Sequence, residues 1–538
     1  MENAPTSHRV ALLGLLFLST LTGCRKDVGP AQWDIDVLGP LFTTRLTIAN
    51  LIPDSLQQIG SNGAITLVYS EELFTLELDT LLSIPDTLFR YPYAFPLPPG
   101  DTFDLPAGFP VISENNLIRF NLADLQLRDL HIREGTLELH MRNKIGSRVN
   151  GSFGLPGAQF SDGSNTLVTS VDAGSPSSPS FSTLVRDLSG ARFDLRGPTF
   201  SDVNTLASSV SAELDPTGSG AVVTNQDSVV IEASYRSIVP SYARGYFGNR
   251  SVESGEVRTP FSLFEDFVSG TLDLDQVQLR LHVKNGVGMD IRIRLNEFQA
   301  VNTRTGATVD LMGSIMQGPI NLNRALDHGG GPTPTLYERT LDNTNSNVDA
   351  FVETLPNELL YNVDVELNPL GNISNGNDFV YYESAVSAEL DLEVPLSLIA
   401  TDLVLENIVK PDLPGTAEHP LLQNGTMHLF ATNGFPFAAN VILDIVDLDR
   451  NVLSSAPVSG GITAGVLGAG QTVTATTNSE MHVDLTEEQI DMLYGDGRFR
   501  IRVVFNTADQ TEHVQLLERY AMDLQFTVGA RYMVNGGE

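Results

Sequence analysis

The residues best placed to do chemistry in this 538-residue chain are a repeated histidine, a run of alternating oxygen ligands and a single thiol. His140 and His282 occupy the same place in two similar strands, Leu137-Glu138-Leu139-His140-Met141-Arg142-Asn143 and Leu279-Arg280-Leu281-His282-Val283-Lys284-Asn285. Imidazoles recurring on one face would suit a ligand or a general base. A third copy breaks that pattern, with Phe430 at the position and His428 two residues earlier. Asp447-x-Asp449-x-Asn451 sets three side-chain oxygens on one side of a turn, as calcium loops do. It lacks the central glycine and the distal glutamate, so a hairpin tip is the simpler reading and calcium the weaker one. Carboxylates abound without any pair standing out, which leaves a polysaccharide hydrolase open as an alternative. Gly-x-Ser-x-Gly, His-Glu-x-x-His, the phosphate-cradling loop and Gly-x-Gly-x-x-Gly after a strand are all absent. The glycines from Gly460 to Gly470 have the spacing of a loop between strands. No cofactor is expected, and no catalytic residue can be named.

Cys24 is the sole cysteine. It rules out a disulfide within the chain and any zinc site built from thiolates. Ahead of it lie Arg9 and an apolar run from Val10 to Leu21. As a helix this run would rise about 18 Å, well short of the roughly 30 Å hydrocarbon core, which suits a signal-peptide core and not a stable span. Leu21-Thr22-Gly23-Cys24 resembles the lipobox of type II signal peptides. The resemblance implies cleavage between Gly23 and Cys24 and a diacylglyceryl group on the Cys24 thiol. Residues 1–23 are then a signal peptide, and the protein is held in the cell envelope by lipid. Arg25 at the next position is not the aspartate linked to inner-membrane retention, which favours the outer membrane; either leaflet fits.

The net charge of −34 repels phosphate backbones, so nucleic acid is excluded as a partner. Only four of the 32 basic residues are lysine, namely Lys26, Lys144, Lys284 and Lys410. Excess carboxylate with scarce lysine fits either a salt-adapted protein or an arginine-rich codon usage.

The elements that would position these residues repeat. Each copy of the strand ending in Asn143, Asn285 or Asn433 is led by a Gly-Thr pair (Gly135, Gly270, Gly425) and is followed 72, 83 or 73 residues later by a second anchor at Asp215, Asn368 or Asn506. A period of 142 and then 148 residues is the size of a whole domain. Strict alternation, as in Met289–Leu295 and Ala388–Val394, predicts antiparallel strands with one wet face. Asn285-Gly286 and Asn433-Gly434 read as turns through positive φ. Thr486 and Gln489 form a capping box for one short helix, and a second is expected from about 347 to 355.

The fold expected is therefore all-β and mainly antiparallel: tandem β-sandwich-like domains with a few short helices. Residues 24–130 read as an N-terminal β region with a proline-rich connector at Tyr91–Pro99, followed by repeat units at 131–268, 269–415 and 416–538. Ser161–Ser182 and His328–Pro334 read as long loops. The opening Trp33-Asp34-Ile35-Asp36-Val37-Leu38-Gly39-Pro40-Leu41 and the Asn368–Gly371 strand end resemble large uncharacterised envelope lipoproteins of Bacteroidetes-type bacteria. That resemblance implies an envelope β-protein and no known activity. The role expected is non-catalytic, structural or binding, with an envelope protein or glycan as partner. A polysaccharide hydrolase and a carrier of apolar ligands are the alternatives.

Overall fold

The computed structural model describes residues 32–48, 54–77, 81–264, 267–413 and 422–535. These are all-β, with two α-helices among the described residues, and no helix there is long and apolar enough to cross a membrane. They form two compact units. The larger holds Thr66–Phe264 and Leu274–Pro395; the smaller holds the described residues up to Ile65, those within Glu265–Asp273 and those from Leu396 onward.

Three strands from the N-terminal region, β1 (Gln32–Thr47), β2 (Ile65–Leu76) and β3 (Thr87–Ala94), each join a different sandwich. In the larger unit the first sandwich is built from β4 (Pro110–Arg119), β5 (Gln126–Asn143), β6 (Val149–Gly154), β7 (Thr166–Val171), β8 (Ser180–Asp187), β9 (Thr205–Leu214) and β10 (Ser228–Tyr246). One sheet runs β3-β10-β5-β8 and the facing sheet β7-β6-β9-β4. The alternation read in β5 is realised: Leu137, Leu139 and Met141 are buried between the sheets, and Glu138, His140 and Arg142 point outward. Tyr91 of β3 meets Phe153 of β6 across the core, ring centroids 6.1 Å apart. Fully buried Tyr235 and Phe193 complete that core.

The second sandwich of this unit uses β11 (Gln278–Asn285), β12 (Ile291–Asn302), β13 (Thr335–Asp342), β14 (Glu358–Leu367) and β15 (Val386–Pro395). Its first sheet, β2-β15-β11-β13, has the same order as before, and β14-β12 faces it. Helix α1 (Val348–Glu353), close to the segment expected, stacks Phe351 on Phe298 of β12 at 5.5 Å.

The smaller unit repeats the plan with β16 (Ser397–Val409), β17 (Leu422–Asn433), β18 (Phe437–Val446), β19 (Val452–Ala456), β20 (Thr477–Leu485), β21 (Arg498–Thr507) and β22 (Ala521–Asn535). Its sheets are β1-β22-β17-β20 and β16-β21-β18-β19. Helix α2 (Glu487–Tyr494) carries the expected capping box: Gln489 N–H donates to the Thr486 hydroxyl at 3.3 Å, and Thr486 N–H donates to Gln489 Oε1 at 3.0 Å. Lys410 Nζ closes the other end by donating to the carbonyls of Leu493, Gly495 and Gly497, where a cation also meets the negative pole of the helix.

Two expected loops are strands. Tyr91–Ala94 belongs to β3, where Pro92 sits opposite Val230 on a sheet edge, the position that tolerates a missing N–H. The stretch Ser161–Ser182 contains β7 and the start of β8. The Gly-Thr leads also diverge. Gly135 lies on β5 itself, but Gly270 lies on a separate strand, Phe267–Leu274.

Candidate functional site

The three asparagines that revealed the repeat are fully buried and do the same thing three times. Asn143 Nδ2 donates to the carbonyls of Ser147 (2.8 Å) and Asp172 (2.9 Å), and its Oδ1 accepts from Ile145 N–H (2.8 Å). Asn285 donates to Met289 O (2.8 Å) and Asn323 O (2.9 Å) and accepts from Val287 N–H (3.1 Å). Asn433 donates to Phe437 O (2.8 Å) and Thr463 O (2.9 Å) and accepts from Phe435 N–H (2.8 Å). Each amide therefore pins the crossing from one sheet to the other, and to a loop 29, 38 or 30 residues on, from a position with no solvent exposure. Two donors and one acceptor on a neutral planar group are what asparagine supplies and aspartate or leucine cannot.

This replaces the expectation of a positive-φ turn. None of the three asparagines adopts positive φ, whereas Asn368 at the second anchor does, at 50°. The glycines after Asn285 and Asn433 are explained by close approach: a Cβ on Gly286 or Gly434 would lie 2.8 Å from the carbonyl of Ala385 or Ala521. Those same carbonyls accept the glycine N–H groups at 2.9 Å.

The histidines lie on outward faces and keep different company. His140 meets Thr183 Oγ1 at 3.0 Å and stacks on Phe181 at 5.6 Å. His282 Nε2 lies 3.1 Å from Asp391, and His428 Nδ1 lies 3.3 Å from Glu480. Beside His282, the Ser70 hydroxyl is 2.7 Å from Asp391 and 2.8 Å from Glu389. Serine, aspartate and histidine thus meet in the wrong order for nucleophilic catalysis. The carboxylate stands between hydroxyl and imidazole, so the imidazole cannot take the hydroxyl proton.

Asp447, Asp449 and Asn451 form the tip of the β18–β19 hairpin. Both Asp447 carboxylate oxygens already accept from Asn451, one from its N–H (2.8 Å) and one from Nδ2 (3.0 Å). Those bonds, the side-chain one first, hold the Asp447 carboxyl below its ordinary range. No group of three or more His, Cys, Asp or Glu side chains is gathered to hold a metal among the described residues. Gly23 and Cys24 lie outside the described residues.

Three charged clusters had no signal in the sequence. Asp378, with no solvent exposure, accepts from Arg324 (3.2 Å) and from Asn368 Nδ2 (2.8 Å); Arg324 also donates to Asp290 at 2.9 Å. Asp327, at the start of the glycine-rich loop, accepts from the hydroxyls of Tyr242 (3.0 Å) and Tyr381 (2.8 Å) and from Gly329 N–H (2.8 Å). Burial pushes the Asp327 carboxyl up, but these three donors outweigh it and hold the carboxyl low. Burial and the bond to Asp327 push Tyr381 up to about 12. In the smaller unit Asp444 accepts from Ser455 (2.7 Å), Arg500 (2.7 Å) and Arg502 (2.9 Å). Burial raises the Asp444 carboxyl, and the serine and the two guanidiniums bring it below its ordinary value. These clusters join strands far apart in the chain, 54 residues between Arg324 and Asp378 and 85 between Tyr242 and Asp327, so no local pattern could announce them.

No protein-family model matches the chain, and no curated protein matches it. Among solved structures, a Parabacteroides distasonis protein given only a provisional description as secreted overlaps 52% of this chain and 82% of its own, at 13% identity and a TM-score of 0.25. The VP2 subviral particle of infectious bursal disease virus overlaps 90% and 86%, at 9% identity and a TM-score of 0.11. Likenesses this slight carry no weight for fold or role.

Proposed function

We propose that the chain is a lipid-anchored protein of the cell envelope, in the outer membrane, with a non-catalytic binding or structural role toward an envelope protein or glycan. The observation that carries this reading is the use made of the chemically capable residues. The three repeated asparagines are spent on identical structural bonds, and Asp378, Asp327 and Asp444 are each held by two or more donors from the fold itself. Carboxylates so engaged are poor acids, bases or nucleophiles, and well suited to fixing the shape of a rigid scaffold. The anchor rests on Leu21-Thr22-Gly23-Cys24 behind a short apolar run.

The test is affinity capture from detergent-solubilised envelopes with the full lipidated chain, against an unrelated lipoprotein as control. Reproducible enrichment of a protein or glycan supports the binding role. Enrichment of nothing above the control, together with turnover of any envelope polysaccharide, would sink it. Palmitate labelling of wild type against Cys24→Ala checks the anchor; equal label in both overturns it.

A further inference from the structure

We infer that the C-terminal sandwich is the part of the protein seated on the lipid surface, and that it stands on the end bearing the 447–451 turn. This rests on the reading of Cys24 as the lipidated residue. Sequence order alone would place the last repeat farthest from an N-terminal anchor. The strand pairing reverses that, because β1 pairs along its length with β22, the last strand of the chain.

Register fixes which end is which. Gln32, the first residue of β1, lies opposite Asn535, and Thr47 lies opposite Ala521. On the next strand Leu422 pairs with Tyr532 and Asn433 with Met522, so the start of β17 shares the Gln32 end and Asn433 marks the other. Asn433 binds Phe437 O at the start of β18, so β18 runs back toward the Gln32 end and delivers the 447–451 turn there. Val446 opposite Arg498, and Val409 opposite Phe499, bring the start of β21 and the end of β16 to that same end.

Reach decides the orientation. Eight residue steps separate Cys24 from Gln32, at most about 28 Å of extended chain. The 16 residues of β1 span about 50 Å at strand rise. With the Asn433 end down, Gln32 would stand about 50 Å above the lipid and the tether would fall some 20 Å short. Only the Gln32 end, or the flank of the sandwich, can rest on the membrane.

The surface at that end selects between these. Leu448, Val452 and Leu453 on the hairpin are 62%, 51% and 47% exposed, and Val409, across β21 at the same end of the sheet, is 42% exposed. Apolar side chains at a turn are suited to the interfacial layer, where they lose contact with water without needing to cross the core. Asp447, Asp449, Glu487, Glu488 and Asp491 share this end with Lys410, Arg450 and Arg498. The excess of acid disfavours an anionic leaflet, so the matching partner is a zwitterionic phospholipid surface.

Because lipid caps Cys24, an introduced cysteine is the sole free thiol in the mature protein. Leu448→Cys and Ala508→Cys are each made in the full chain. Ala508 is exposed and follows Thr507, which pairs with Phe437 at the opposite end. Each variant is purified lipidated, labelled with a polarity-sensitive fluorophore and reconstituted into phosphatidylethanolamine–phosphatidylcholine vesicles carrying an acyl-chain quencher. The inference expects a blue shift and quenching at position 448 and neither at 508. Equal signals at both positions indicate a sandwich lying on its flank, and a stronger signal at 508 an inverted one; either overturns the orientation. Val452→Cys serves as a second reporter at the same end should Leu448→Cys fold poorly. A mature protein lacking the diacylglyceryl mass on Cys24 overturns the anchored reading itself, a failure distinct from wrong orientation.

Discussion

Replacing Asn433 separates a structural pin from an ordinary turn residue. Asn433→Ala removes two donors and one acceptor from a site with no solvent access, taking the partner from Phe435 N–H and the side-chain donor from Phe437 O, while Thr463 O keeps the Thr477 hydroxyl at 2.7 Å. A buried group left without its partner costs about 1–3 kcal/mol. The N–H loses its acceptor outright, while each carbonyl has a second lone pair. A total of about 3 kcal/mol follows, or a drop of roughly 6–12 °C in the unfolding midpoint for a domain of this size. A turn asparagine at the surface would cost about 0.5 kcal/mol or less. Asn433→Asp adds a signature in pH. A carboxylate there faces two carbonyl oxygens in a dry site, so its folded pKa must lie above the unfolded value of about 3.9. The folded state then binds the proton more tightly, and stability falls as pH rises from the unfolded pKa through the folded one. Below that window the protonated acid can donate one hydrogen bond, so the aspartate variant outlasts the alanine variant; above it the order inverts. Urea unfolding followed by fluorescence is the assay, since the sole tryptophan, Trp33, lies on β1 of the same unit. Asn143→Ala and Asn285→Ala should weaken amide-exchange protection in their own sandwiches by a similar amount. An alanine variant within about 0.5 kcal/mol of wild type, or an aspartate variant whose pH profile parallels wild type, refutes the reasoning.

Asp378→Ala should cost about 1–3 kcal/mol by removing the buried acceptor of Arg324 and Asn368 Nδ2, with Asp290 left as the remaining counter-charge of Arg324. The double variant with Arg324→Met should lose less than the two single variants combined, and additive losses in urea titrations would show that the pair is not coupled. Acid unfolding of the smaller unit should draw on Asp444. Its carboxyl is held low in the fold, so its contribution is complete above the unfolded pKa of about 3.9 and disappears as pH falls through the folded value. Asp444→Asn should therefore flatten the acid limb of the stability curve, and an unchanged limb counts against that assignment. With a net charge of −34, the unfolding midpoint should rise between low and molar NaCl as self-repulsion is screened, and a flat response would end the salt-adaptation idea. Replacing β1 by a Gly/Ser linker of equal length should destabilise the smaller unit and let a synthetic 32–47 peptide bind it. No loss of stability in that unit would show the strand to be dispensable.

Sequence reading did well wherever the cause was local. Alternation in Leu137–Asn143 and Leu279–Asn285 reported the two faces of each strand because side chains alternate with period two. Thr486 and Gln489 announced α2 because a capping box is closed within four residues. The repeat places Asn143, Asn285 and Asn433 correctly, but the turn expected at Asn285-Gly286 and Asn433-Gly434 is the wrong reason for the asparagine. Asparagine before glycine is common in turns, and nothing nearby distinguishes a side chain aimed at solvent from one aimed inward at carbonyls 4 and 38 residues away, as in Asn285. Tyr91–Ala94 was misread because proline density marks connectors and edge strands alike. The Asp378 and Asp327 clusters were beyond reach, being made by tertiary packing alone.

The hardest part to read was the N-terminal region, and its pairing explains why. β1, β2 and β3 pair with β22, β15 and β10, the closing strand of each repeat, and they do so in reverse chain order. None of these donors has the repeat's own motif, since each is an extra edge added beside it. A repeat without its donor would leave the outer N–H and C=O groups of its closing strand unpaired, an edge open to association with other chains. β1, β2 and β3 therefore act as edge covers for the three sandwiches, and in the smaller unit that cover cannot be placed until the last strand of the chain exists. The same pairing that seals β22 also brings Gln32 and Asn535 to one end of one sandwich, eight residues from Cys24. If Cys24 carries the proposed lipid, β1 serves both edge protection and attachment, and a lesion there should cost the smaller unit its stability and the proposed seating together.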